Sequence, residues 1–152
     1  MTRAVLRTDG GARGNPGPAG CGFVIEVDGA TVCGGGCYIG SATNNVAEYQ
    51  SLVWGLRNVL ALGHDEVTVF ADSELLVKQI NGQYRVKNAG LKPLFTEALS
   101  LLRRFGAFEV RHVRREQNKA ADAMANEAMD ARGTVGDPAC APDGDAPQNS
   151  LF

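Results

Sequence analysis

Apolar positions alternate at a period of two in the first third of the chain and shift to a helical period near residue 45. Residues 3–9 (RAVLRTD), 21–27 (CGFVIEV) and 31–39 (TVCGGGCYI) read as strands, the last weakened by its glycines. Asp28-Gly29 is a hairpin signal, so the three strands predict an antiparallel meander. Residues 10–20 (GGARGNPGPAG) between the first two read as a Gly/Pro loop. From Asn45 to about Leu62, Val46, Tyr49, Val53, Leu56 and Leu60 recur at helical spacing, and Gly63 stops the helix. VTVFA at 67–71 is a nearly continuous apolar run, as in a strand buried inside a sheet. Asp72 opens a short helix that ends at Asn81-Gly82. A longer helix runs from about Leu91 to Arg104, with Pro93 in its first turn. FEVRHV at 108–113 alternates as a strand, and Asn118 caps a last helix to about Ala131. The order β-β-β-α-β-α-α-β-α predicts an α/β fold with a mixed sheet covered by helices, the 67–71 strand parallel to the first. Residues 1–132 form the domain, and 133–152, rich in Gly, Pro and Asp, read as a disordered tail.

Composition narrows the class. The 152 residues are 44% hydrophobic and 21% charged, enough for one domain with its own core. No apolar run approaches the roughly 20 residues of a membrane helix. The start of the chain has no signal-peptide pattern. Cys21, Cys33, Cys37 and Cys140 include no CxxC pair, so reduced thiols in the cytoplasm are expected. The net charge of -2 hides an asymmetry: residues 1–77 carry a net -4 and residues 78–119 a net +7. That division suits a protein that grips a polyanion on one side and holds cations at carboxylates on the other. A merely solvated basic face fits the same charges.

Four acidic residues stand at unusual places. Asp72 precedes a helix and would serve as an N-cap; Asp122 lies in a helix first turn, where the dipole favours it. Glu48 follows Asn45 by three, as in a capping box, and Asp9 ends a strand before glycines, an ordinary turn position. Two observations point beyond these roles. Glu48 shares its helical face with Leu52, Leu56 and Val59, so it faces the sheet, where an unpartnered carboxylate needs a cation or a raised pKa. Asp9 and Asp72 end strands that the topology makes parallel neighbours, and ligands bind outside such strand ends. An all-oxygen set favours Mg²⁺ or Mn²⁺ over zinc, and neither His64 nor His112 sits in a zinc pattern.

Four segments, in order, carry a resemblance: TDGGARGNPGPAGCG, TNNVAEYQSL, FADSELLVKQINGQY and HVRREQNKAADAMANEA. Together they resemble type 1 ribonuclease H across residues 3–131, in the compact bacterial and archaeal form without the basic protrusion. The resemblance implies a mixed five-stranded sheet and hydrolysis of the RNA strand of RNA–DNA hybrids, leaving 5′-phosphate and 3′-hydroxyl ends. It implies that Asp9 bridges two Mg²⁺ ions, with Mn²⁺ as a substitute. Asp122 helps hold the ion beside the attacking water, and Glu48 and Asp72 the ion beside the leaving group. Two ions about 4 Å apart stabilise the entering and leaving oxygens of an in-line displacement.

The same matching places Asn15, Asn44 and Asn45 as polar contacts to the hybrid's minor groove, where amides both donate and accept. It places the backbone of Gly10, Gly11, Ala12, Arg13 and Gly14 beside the 2′-hydroxyl, and Thr43 on a DNA phosphate. Glu74 stands where some members have Gln, as a substrate contact. The loop RREQNKAA has no His where some members carry one, and Arg115 is the candidate for that catalytic role. A nucleotide-binding reading of the glycine loop fails, because the chain has no GxGxxG and no Gly-Lys pair. Cys33 and Cys37 read as buried inert thiols and Trp54 as packing. Tyr84 with Lys87 reads equally as a contact to the DNA strand or a solvated face. The partner is the hybrid. A monomer is expected, without membrane attachment or organic cofactor. The alternative function is a catalytically weak member of the fold that only binds hybrid or double-stranded RNA.

Overall fold

The computed structural model describes residues 3–142. Six strands form one sheet in the order β5-β4-β1-β2-β3-β6. The strands are β1 (Ala4–Ala12), β2 (Gly17–Val27), β3 (Ala30–Ala42), β4 (Glu66–Ala71), β5 (Ala107–His112) and β6 (Thr134–Asp137). The helices are α1 (Asn44–Ala61), α2 (Glu74–Ile80), α3 (Lys92–Leu102) and α4 (Lys119–Ala131). β1, β2 and β3 form the expected antiparallel meander, and β4 pairs parallel with both β1 and β5. Asp28 and Gly29 turn the β2–β3 hairpin, both with positive φ, as a two-residue turn of this hand requires. No helix among the described residues is long and apolar enough to cross a membrane.

The core lies between α1 and the sheet. Leu6, Phe23, Ile25, Val67 and Val69 meet Leu52, Leu56 and Val59 of α1 there, all buried. Trp54 packs as the sequence suggests, its ring edge-on to Phe23 at 4.8 Å between centroids. Cys21, Cys33 and Cys37 are buried thiols. α4 covers the opposite face of the meander.

Two expectations change. Residues 10–20 are mostly strand rather than loop: Gly10, Gly11 and Ala12 pair with Cys21, Gly20 and Ala19, so the turn shrinks to residues 13–16. The glycines that suggested a loop permit close packing instead. A Cβ on Gly10 would lie 2.3 Å from the Ala47 carbonyl of α1, and one on Gly22 would lie 2.3 Å from the Ala121 carbonyl of α4. The second change concerns the tail. β6 pairs antiparallel with β3, making the sheet six-stranded rather than five-stranded and ordering residues expected to be disordered. Buried Asn58 of α1 anchors the segment after β6, its Oδ1 accepting from the N–H groups of Ala139 (2.6 Å) and Cys140 (3.0 Å). Trp54 Nε1 donates to the Cys140 carbonyl at 3.0 Å. These partners lie 81 and 82 residues apart in the chain, which no local composition reveals. Residues 143–152 of the expected tail lie outside the described residues.

Asn58 therefore holds the last described segment on the domain. Asn58→Ala leaves two N–H groups without their acceptor and is expected to cost about 1–3 kcal/mol. A lowered urea midpoint with an unchanged slope would be the sign of it.

Candidate active site

β1 and β4 run side by side from Ala4/Val67 to Thr8/Ala71, and the pairing stops there. The next residue on each strand is a carboxylate, Asp9 and Asp72. Glu48 enters from the second turn of α1, which docks close because Gly10 has no side chain. Asp9, Glu48 and Asp72 each present an oxygen, and these oxygens lie within 4.8 Å of one another. All three side chains are nearly buried; Asp9 is 7% exposed and Glu48 9%. Glu48 Oε1 is buried without a hydrogen-bond partner, as its inward-facing position in the sequence predicts. Asp122, in the first turn of α4, lies outside that tight triad but lines the same cleft and hydrogen-bonds to Asp9. The cleft encloses about 410 Å³.

The electrostatics follow from this crowding. Burial, reinforced by Glu48, the hydrogen bond to Asp122 and the charge of Asp72, pushes the Asp9 carboxyl up to about 9. Burial and the neighbouring Asp72 push Glu48 up as well, partly offset by hydrogen bonding from the Gly10 N–H. A divalent cation is the counter-charge such a set lacks. The oxygen-only donors and the orphaned Glu48 oxygen fit a hard cation of the Mg²⁺ class.

Around the carboxylates the predicted residues fall into three groups. Gly10, Gly11, Ala12, Arg13, Asn44, Asn45 and Arg115 line the cleft. Arg115 is 84% exposed on a single 3₁₀ turn, with Nε 4.0 Å from Asp72 Oδ2. Asn15, Thr43 and Asn45 border an adjoining hollow of about 250 Å³, together with Asn88. Asn15 and Asn44 also act structurally: Asn15 Oδ1 accepts from Asn44 N–H (3.0 Å), and Asn44 Oδ1 from Ala12 N–H (2.8 Å). Those bonds tie the β1–β2 turn, with Gly14 at φ +94°, to the start of α1. Thr43, rather than Asn45, caps α1 by accepting from Val46 N–H. Ser73, rather than Asp72, caps α2, which leaves the Asp72 carboxylate to the cluster. Glu74 does not line the cleft; it is exposed and pairs with Lys78 on its own helix.

Residues 7–128 match the family model described as reverse transcriptase-like. The ribonuclease H1 of the archaeon Halobacterium salinarum superposes with a TM-score of 0.83 at 41% identity, over 85% of this chain and 98% of that one. A ribonuclease H1 recovered from compost, solved with an RNA/DNA hybrid, gives 0.80 at 42% identity over 84% and 97%. The chain belongs to the type 1 ribonuclease H family. The N-terminal ribonuclease H domain of the Mycobacterium tuberculosis protein Rv2228c is similar too, with a TM-score of 0.84 at 41% identity over 87% and 96%. The chain spans about a third of the length of the full mycobacterial protein (36%) and 62% of the full Halobacterium protein.

Reasoning from the sequence missed the residues that hold this family's carboxylates in place. Ser51 Oγ bonds the Asp9 carbonyl at 2.7 Å and the Ala47 carbonyl at 2.8 Å, joining β1 to α1. Asn118 does not cap α4 with its side chain; Nδ2 donates to the Thr8 carbonyl at 2.8 Å. Asn126 Nδ2 donates to the Asp122 carbonyl at 3.1 Å, and its Oδ1 accepts from Arg13 Nη2 at 3.5 Å. Neutral polar residues inside a helix or at its N-cap carry no spacing signal that marks such bonds.

The raised Asp9 carboxyl sets a pH dependence. An unfolded aspartate ionises near 4, so between about 4 and 9 the metal-free folded state holds the extra proton. Its stabilising effect is complete below about 4 and is lost as pH rises through about 9. The melting temperature in EDTA is expected to fall across that range, and millimolar Mg²⁺ to flatten the decline. Equal slopes with and without Mg²⁺ would contradict the assignment.

Proposed function

We propose that this chain hydrolyses the RNA strand of RNA–DNA hybrids with two Mg²⁺ ions, Mn²⁺ substituting, to leave 5′-phosphate and 3′-hydroxyl ends. The observation that carries this reading is the convergence of Asp9, Glu48 and Asp72 oxygens within 4.8 Å, one of them buried and unpartnered. Its support from outside is the likeness to a relative solved on an RNA/DNA hybrid.

Asp9 would be shared between the two ions, with Asp122 on the side of the attacking water and Glu48 and Asp72 on the side of the leaving 3′-oxygen. Bound divalent ions supply charge neutralisation and an acidified water at the phosphate. The protein's part is placement. Two strand ends and two helices deliver the carboxylates already assembled, so little reorganisation is needed when the phosphate arrives. Backbone groups of residues 10–14 approach the RNA sugar, with no side chain at Gly10, Gly11 and Gly14 to hold it off, and the 2′-hydroxyl is the group that separates RNA from DNA there. With their oxygens engaged internally, Asn15 and Asn44 offer amide N–H groups to the groove, and Asn45 offers its whole amide. Thr43 and Asn88, at the adjoining hollow, suit a backbone phosphate. Arg115, beside Asp72, stands ready to meet phosphate charge as product leaves.

Asp9→Asn is expected to abolish Mg²⁺-dependent cleavage of a labelled hybrid while hybrid binding persists. The loss should exceed the roughly 10–100-fold that changes outside the metal's own ligands cost. Binding without cleavage by the unmodified protein would favour the alternative, a hybrid-binding module without nuclease activity.

A further inference from the structure

We propose that Asn118 is a positioning residue that clamps the first turn of α4 to β1 and so sets Asp122 against Asp9; this rests on the carboxylate site proposed above. Asn118 is completely buried, and its Nδ2 donates to the Thr8 carbonyl at 2.8 Å. Thr8 directly precedes Asp9. On the helix side, the Asp122 N–H donates to the Asn118 carbonyl at 3.1 Å. Asn118 is the N-cap of α4, and its carbonyl accepts from the turn that carries Asp122. A single side chain links the backbone beside one carboxylate to the helix turn that carries another.

α4 lies on Gly20, Gly22 and Gly36, where its backbone and the Met124 and Met129 side chains come close to the strands. Such a surface allows close approach, and the Asn118 bond adds a directional link between one helix end and one strand carbonyl. The bond also comes at a cost, because Asn118 Oδ1 is buried without a partner. An apolar side chain would fill the space without that penalty, so the amide contributes orientation rather than packing. From the other face, Ser51 bonds the very next carbonyl, that of Asp9. Consecutive carbonyls of β1 are thus gripped from opposite layers, by α1 and by α4.

The test titrates Mg²⁺ calorimetrically into the full chain and measures steady-state cleavage of a hybrid. Asn118→Ala is expected to raise the Mg²⁺ half-saturation roughly tenfold and to lower kcat similarly, with KM for the hybrid unchanged. Asn118→Ser, which keeps a shorter donor, should recover part of both, and it carries the comparison if the alanine variant does not fold. Asn58→Ala is the control: it destabilises the domain far from the cleft and should leave the Mg²⁺ titration unchanged. Mg²⁺ binding and kcat within about twofold of the unmodified protein in a folded Asn118 variant would overturn the proposal. So would an equal Mg²⁺ shift in Asn58→Ala, because the effect would then be one of stability alone. Failure of the functional reading looks different: the unmodified protein would leave the hybrid intact while the Mg²⁺ shift of the Asn118 variants remained.

Discussion

Negative charge held close together in a dry corner is the constraint that organises this molecule. Three carboxylate oxygens within 4.8 Å repel one another, and burial removes the water that would screen them. Burial and its acidic neighbours favour a proton on Asp9, which relieves part of that repulsion. Folding stability is thereby exchanged for a site that is complete before any ligand arrives. Much of the architecture serves that end: β1 and β4 part at the carboxylates, α1 approaches through Gly10, and cap residues Thr43 and Ser73 spare the acidic groups from capping.

Glycine has a second role in this fold. On the α4 face of the meander it replaces side chains where helix backbone meets strand backbone. Close layers bring Asp122 within reach of Asp9, since a helix held off by ordinary side chains would sit farther from the sheet. Directional bonds from the buried amide and hydroxyl groups beside Asp9 tie both layers to β1.

Much of this is legible in the sequence. Asp28-Gly29, the apolar run at 67–71 and the helical spacing after Asn45 each mark a local preference that the tertiary structure respects. The inward face of Glu48 is legible as well, because helical periodicity places it in line with Leu52 and Leu56. Residues 10–20 and 133–142 depart from their local signal for one shared reason. Gly and Pro report only local backbone preference, while pairing across the sheet is decided by distant partners, Cys21 for Gly10 and Cys37 for Thr134. The roles of Ser51 and Asn126 are hidden because a polar residue inside a helix looks the same in sequence whether it meets solvent or a carbonyl, and that of Asn118 because an N-cap position predicts a local bond rather than a reach to Thr8. Glu74 rests on resemblance alone, and its pairing with Lys78 follows from ordinary i,i+4 geometry.

The edge strand β6 has a consequence for how such a domain is joined to other things. It lies three strands from β1, about 14 Å across the sheet at the usual strand spacing. The segment after it is pinned to the C-terminal half of α1 by Asn58 and Trp54 rather than to the carboxylate end. Cargo fused downstream of this anchor would hang from the rim opposite β5, and pulling on it would load Asn58 before it disturbed the cleft.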